Sequence, residues 1–240
     1  MSHEITGSYD KMQSSSEVTM FAQLMRNVYL WMALGLLMTG LTAMTIAKNE
    51  GLVYTIFSNA PLFWGIAIVE LALVMILSAA LNKLSFATAG IMFAIYAILN
   101  GVTMSLIFFA YTSESIAQTF FVTSGTFAAM SAFGYFTKRD LSFIGRILIM
   151  LLIGLIITTL VNLFFKNSMV ESITNYVGIV LFVGLTAYDT QKIKKMLLAG
   201  SHSDLDGSTL SKLALLGSLE LYLDFVNLFL YLLRFMGKRK

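Results

Sequence analysis

Four acids sit in stretches otherwise built from Leu, Ile, Val, Phe and Met: Glu70, Asp189, Glu220 and Asp224. An ionisable group in hydrocarbon costs roughly 2.5–3.5 kcal/mol on insertion scales, so such residues face protein or a wet cavity. Two of them belong to a longer pattern. Gly217, Glu220, Asp224, Asn227, Tyr231 and Arg234 recur at spacings of three and four, which places them on one face of a helix. Leu219, Leu221, Leu223, Phe225, Val226 and Leu228 fill the other faces. A polar stripe on a helix that is otherwise apolar all round implies a segment enclosed by other helices, its stripe lining a packed or hydrated interior. The alternative, a helix lying flat on the membrane surface, fits less well because the stripe is narrow and carries few cations.

Asp189 closes an uncharged run within Gly184-Leu185-Thr186-Ala187-Tyr188-Asp189-Thr190-Gln191-Lys192. Lys192 lies three residues on, so one reading is a boundary carboxylate paired along its own helix. The other is that Asp189 meets Asp224 across the contact between the last two helices, which requires Asp189 to lie below the surface with Lys192 and Lys194 snorkelling. Glu70, nine residues past Pro61, falls near the middle of its span, either as a protonated carboxyl bonded to a neighbouring helix or as a functional group.

The elements that must hold these acids are long apolar runs. Of 240 residues 58% are hydrophobic and only 12% charged, with a mean hydropathy of +0.80, so the bilayer is the expected solvent. Cysteine is absent and proline occurs once, which excludes disulfide scaffolds, thiolate metal sites and cysteine nucleophiles. The basic residues are spread among loops with no cluster beside aromatics, so nucleic acid is not an expected partner. His3 and His202 are too few and too far apart in sequence for a metal site.

A spanning helix needs about 20 mostly apolar residues. Six runs qualify: 27–47, 61–81 (broken only by Glu70), 84–113, 115–137, 147–165 and 172–188, followed by the acid-bearing seventh at 213–233. The expected organisation is a polar N-terminal tail over residues 1–23 and one membrane domain over 24–240. The tail lacks a compact basic region leading into a short apolar stretch, so a cleaved signal peptide is not expected. With the N-terminus cytoplasmic, inner segments hold ten Lys and Arg and outer loops only Lys48 and Lys166. Arg234, Lys238, Arg239 and Lys240 then fall outside if the seventh segment crosses, or inside if it is re-entrant. Gly101 with Ser105 and Gly125 with Ala129 are small-residue pairs suited to helix contacts, internal ones before oligomeric ones.

Three strings carry a resemblance: Phe133-Gly134-Tyr135-Phe136-Thr137-Lys138-Arg139-Asp140-Leu141-Ser142, Val183-Gly184-Leu185-Thr186-Ala187-Tyr188-Asp189-Thr190-Gln191-Lys192, and Leu221-Tyr222-Leu223-Asp224-Phe225-Val226-Asn227-Leu228-Phe229. In this order, from about Arg26 to the C-terminus, the chain resembles the Bax inhibitor-1 family, in particular its bacterial members. The resemblance implies an all-α integral membrane fold of seven helices, six surrounding a central C-terminal one. It also implies a multi-pass protein of the inner membrane and a pH-sensitive calcium leak. Asp189 and Asp224 match the family's proton-sensing carboxyl pair, and Glu70 its acid in helix two. Some members place an arginine at the inner end of helix two to hold the closed state; here Leu81-Asn82-Lys83 leaves Lys83 in that place.

Two buried carboxyls within hydrogen-bonding distance share a proton and titrate as a pair. Taken alone, the shared proton ties the two helices and blocks passage, whereas its loss makes the carboxylates repel and present oxygens to a cation. Calcium, as transported ion and not as cofactor, takes 6–8 hard oxygen ligands. Asp189 and Asp224 would supply part of that shell as a weak transit site, with Glu70, Glu220, Asn227, carbonyls and water supplying more. An enzyme is not expected. An aspartyl intramembrane protease would need a Gly-x-Gly-Asp string where this chain has Leu221-Tyr222-Leu223-Asp224. The rival reading, from relatives known as partners of a membrane-bound ATP-dependent protease, is an interaction protein handled through its polar tail.

Overall fold

Short polar residues set the helix boundaries. Asn59 accepts from the Leu62 N–H with Pro61 in the first turn, Ser85 caps from Thr88, Thr112 from Ser115, and Asn167 from Met169 and Val170. The computed structural model describes residues 2–201 and 205–240, with side chains from residue 18 on except Asn82. His202 therefore lies outside the described residues, as do the side chains of His3 and of most of the polar tail.

The helices are α1 (Ser2–Ala47), α2 (Glu50–Ser58), α3 (Ala60–Ala79), α4 (Phe86–Met104), α5 (Ile107–Ala110), α6 (Ser113–Phe136), α7 (Ser142–Phe165), α8 (Ser168–Ser201) and α9 (Gly207–Met236), with a 3-10 turn at Leu81–Lys83. Six stretches are long and apolar enough to cross a membrane: Val18–Ala47, Ala60–Ala79, Phe86–Ala110, Ser142–Phe165, Ser168–Ser201 and Gly207–Met236. The seventh long helix, α6, has 24 residues, about 36 Å of helix. Its lower apolarity comes from Glu114 and Gln118, which are exposed, and from hydroxyl residues of which Ser115, Thr119, Thr123 and Ser131 are buried inside the bundle.

α9 is the enclosed helix. Of its apolar window 67% is buried, against 6% for α3. α1, α4, α6 and α8 pack directly on it, whereas α3 leans on α4 and α7 on α8. Leu221, Tyr222 and Leu228 of α9 are wholly buried, and the Tyr222 ring meets Phe93 and Tyr96 edge-on. Buried hydroxyls join the helices where carbon packing alone would leave the register free. Thr39 donates to the Ala97 carbonyl at 2.8 Å and meets the Tyr222 hydroxyl at 2.6 Å, and Ser131 meets Tyr29 at 2.7 Å and Thr190 at 3.1 Å.

α8 and α9 differ from the sequence reading in length. The uncharged run ends at Tyr188, yet α8 continues to Ser201 because its inner part is amphipathic, carrying Lys192 and Lys195 outward and burying Ile193 and Leu197. Asp189 is thus well inside the helix. α9 is unbroken, and its C-terminal end meets the α5–α6 connection: Thr112 N–H donates to the Lys238 carbonyl and Lys240 N–H to the Ala110 carbonyl, both at 3.1 Å. That end of the bundle is opposite the α6–α7 connection, so α9 runs from one end of the bundle to the other.

Candidate functional site

α8 and α9 have the most extensive helix contact in the molecule, and it carries the acids. The Asp189 and Asp224 carboxyls stand within hydrogen-bonding reach of each other. Asp224 is 4% exposed, and its Oδ2 has no donor among the described residues. A proton shared with Asp189 is the bond this approach calls for. One turn back on α9, Glu220 takes a hydrogen bond from Lys192 Nζ at 2.6 Å through Oε1, while its Oε2 is buried without a donor. Lys192 Nζ also lies 3.9 Å from Asp189 Oδ1. Three acids and one ammonium therefore form a single cluster. Pairing of Lys192 with Asp189 and of Asp189 with Asp224 are both present, but the ammonium's nearer partner is Glu220, which sequence spacing did not indicate.

The cluster lines a cavity of about 770 Å³. Its back wall is α8 and α9. Its sides are α3 and α7, the two long helices that stand off from α9 and leave the gap between them. From α9 come Glu220, Leu223, Asp224, Asn227 and Tyr231, so four residues of the stripe read from the sequence face this space, while Gly217 packs against Ile193. Across it Glu70 projects from α3, its Oε1 taking a hydrogen bond from Thr103 at 3.2 Å, with Tyr96 of α4 also on the wall. α7 contributes aliphatic side chains and Thr159 but no ionisable group. Asn227 donates back to its own helix at the Leu223 carbonyl, 2.8 Å, and lines the cavity.

Lys83 does not reach this site. It is exposed on the 3-10 turn after α3 and does not line the cavity, because α3 stops at Ala79 and the turn carries the chain to the end of the bundle. The cation at the acids is Lys192. Among the described residues no three acids or histidines converge tightly enough to hold a metal ion, so Asp189 and Asp224 could offer a cation only part of its shell.

The end of the site nearest the α6–α7 connection is held by the other motif string. Gln191 Nε2 donates to the Arg139 carbonyl at 2.8 Å and Gln191 Oε1 accepts from Leu141 N–H at 2.9 Å, clamping the α6–α7 connection onto α8 two residues from Asp189. Lys194 donates to the Tyr135 carbonyl at 2.7 Å, and Lys195 to Asp140 at 2.5 Å. The hydrogen bonds from Lys195 and then Ser142 hold the exposed Asp140 carboxyl down to about 2. This pairing is present above the ordinary carboxylate range and is lost as pH falls toward that value.

Residues 21–240 match the model of the family described as inhibitor of apoptosis-promoting Bax1. The chain is 48% identical to the inner membrane protein YbhL of Escherichia coli over 90% of its own length and 92% of that relative. It is 42% identical to an uncharacterized protein of Borreliella burgdorferi over 96% and 98%, and 37% identical to an uncharacterized membrane protein of Streptococcus pyogenes over 79% and 80%.

Proposed function

The chain belongs to the Bax inhibitor-1 family, and from that premise we propose that it is a multi-pass inner-membrane protein that leaks calcium under control of the Asp189–Asp224 carboxyl pair. Placement in the inner membrane rests on the likeness to YbhL, and calcium as the ion rests on the family resemblance. The N-terminus is cytoplasmic by the distribution of Lys and Arg. What carries the reading within this chain is the approach of two carboxyls on a mid-span cavity wall, beside a lysine-bound third acid.

Lys192 alters the sign that the pair alone would imply. With one proton shared by Asp189 and Asp224 and Lys192 bound to Glu220, two charge-assisted bonds tie α8 to α9. Loss of the shared proton would set the aspartates against each other, but the ammonium 3.9 Å away offsets that repulsion. Protonation acts the other way. As pH falls and the second carboxylate of the aspartate pair takes up a proton, Lys192 loses its anionic neighbour at Asp189 and the shared bond becomes a weaker neutral one. Glu70, Tyr96, Tyr188 and Tyr231 are the other titratable groups on the wall, and none of them bridges α8 to α9 as the cluster does. Flux through the loosened contact therefore rises as pH falls.

The test is calcium entry into liposomes holding the full-length protein and an internal indicator, scanned between about pH 6 and pH 8. A several-fold rise toward the acid side is expected. A rise toward the alkaline side would overturn the role given to Lys192, and absence of calcium entry would overturn the reading as a whole.

A further inference from the structure

A second cavity, of about 750 Å³, lies at the C-terminal end of α9 between α7 and α8, lined among others by Lys166, Glu171, Asn175 and Arg234. Thr159 and Tyr231 line both this cavity and the acid-lined one, and among the described residues no other does. Asp224 is seven residues before Tyr231, about 10 Å along the helix, so this pair separates the carboxyls from the open end of the bundle.

The two side chains are built to meet. Thr159 donates its hydroxyl proton to the Leu155 carbonyl at 2.8 Å, and the Tyr231 hydroxyl lies against it. The Tyr231 ring stacks on Phe182 with centroids 5.7 Å apart and planes 24° apart, and Arg234 lies 5.4 Å from its centroid. Behind the ring stands Gly178, where any Cβ would collide with the ring carbons. The ring is fixed on the α8 side, and its hydroxyl reaches Thr159 of α7. Because α7 packs on α8 and stands off from α9, no helix–helix interface seals this passage.

We propose that the second cavity is the vestibule through which water and small hydrated cations reach the Asp189–Asp224 carboxyls, and that the Tyr231–Thr159 contact is the septum that closes it. What passes rests on the function proposed above; that the septum controls access does not. The second cavity is lined largely by polar side chains, and the acid-lined one, though mostly aliphatic, carries its polar groups on the α8–α9 wall, so a break in one hydroxyl contact gives water a path between them.

The natural chain has no cysteine, so single introduced thiols report access without further changes. Leu223→Cys places one on the acid-lined cavity and Ser172→Cys one in the vestibule. A membrane-impermeant cationic thiol reagent is added to the full-length protein in liposomes from the face that carries the C-terminus. Labelling of Leu223→Cys is expected to accelerate about fivefold with Thr159→Val, which removes the hydroxyl that meets Tyr231 together with its bond to the Leu155 carbonyl, and further with Tyr231→Ala. Labelling of Ser172→Cys is expected to stay the same in all backgrounds. Thr159→Val keeps the volume of the side chain, so the result does not hang on whether Tyr231→Ala folds. An unchanged rate at Leu223→Cys with Thr159→Val, or equal acceleration at both thiols, overturns the septum. The reagent reads access and not calcium. Accelerated labelling with no calcium entry would therefore sink the calcium reading alone, and calcium entry with unaltered labelling would sink the septum alone.

Discussion

Replacement of Lys192 by methionine is expected to leave calcium entry at mildly alkaline pH as high as the unaltered protein reaches at mildly acidic pH. The ammonium is the cation that faces Asp189 and Glu220, at 3.9 and 2.6 Å. Opposite charges at about 4 Å attract by about 4 kcal/mol at an effective dielectric of 20. The lysine side chain is 44% exposed, so screening reduces its net worth to about 1–2 kcal/mol. That still moves a closed-to-open ratio by about five- to thirtyfold. Without the ammonium the carboxylates are left to repel one another at high pH, and the alkaline closure is lost. Lys192→Arg keeps the charge and is expected to keep the closure. The measurement is calcium entry at the alkaline end of the scan, and a Lys192→Met protein as tight there as the unaltered one would remove the lysine from the mechanism.

Replacement of Gly134 by valine is expected to cost the fold about 3 kcal/mol or more. Gly134 lies where α6 meets α8, and a Cβ there would fall on the backbone carbonyl of Ala187, two residues before Asp189. Backbone cannot turn aside as the tip of a side chain can, so α8 itself has to move. Gly125, on the same helix, has nothing within 4 Å of where a Cβ would stand. Gly125→Ala is therefore expected to be neutral or slightly stabilising, by up to about 1 kcal/mol. Thermal unfolding of both variants in detergent checks the contrast, and equal melting temperatures would contradict the close approach of α6 and α8.

The same two glycines mark how far the sequence can be read. Apolar runs without charge located every long helix, because a bilayer leaves few other ways to bury them. The stripe of α9 was legible from its spacing of three and four, and Glu220, Asp224, Asn227 and Tyr231 line one cavity as that face requires. The pairing of Asp189 with Asp224 was legible only as one of two readings, since Lys192 on the same helix offered Asp189 another partner. What spacing did not convey was tertiary. The partner nearest Lys192 is on another helix, the end of α8 is amphipathic where hydropathy alone marks a boundary, and α3 and α7 stand off from α9. Gly125 and Gly134 look alike in the sequence, yet one faces open space and the other a carbonyl. Nor did the string around Asp140 announce its clamp, for Gln191 and Lys195 lie some fifty residues away.

The central claim is that Asp189 and Asp224 sense protons as a pair, and the direct measurement is the pH profile of calcium entry for Asp189→Asn and Asp224→Asn beside the unaltered protein. An asparagine can still hydrogen-bond to its neighbour but cannot take up or release a proton. The account predicts that either substitution flattens the profile between about pH 6 and pH 8. A protein carrying Asp224→Asn whose calcium entry still rises toward acid pH as in the unaltered chain would contradict it.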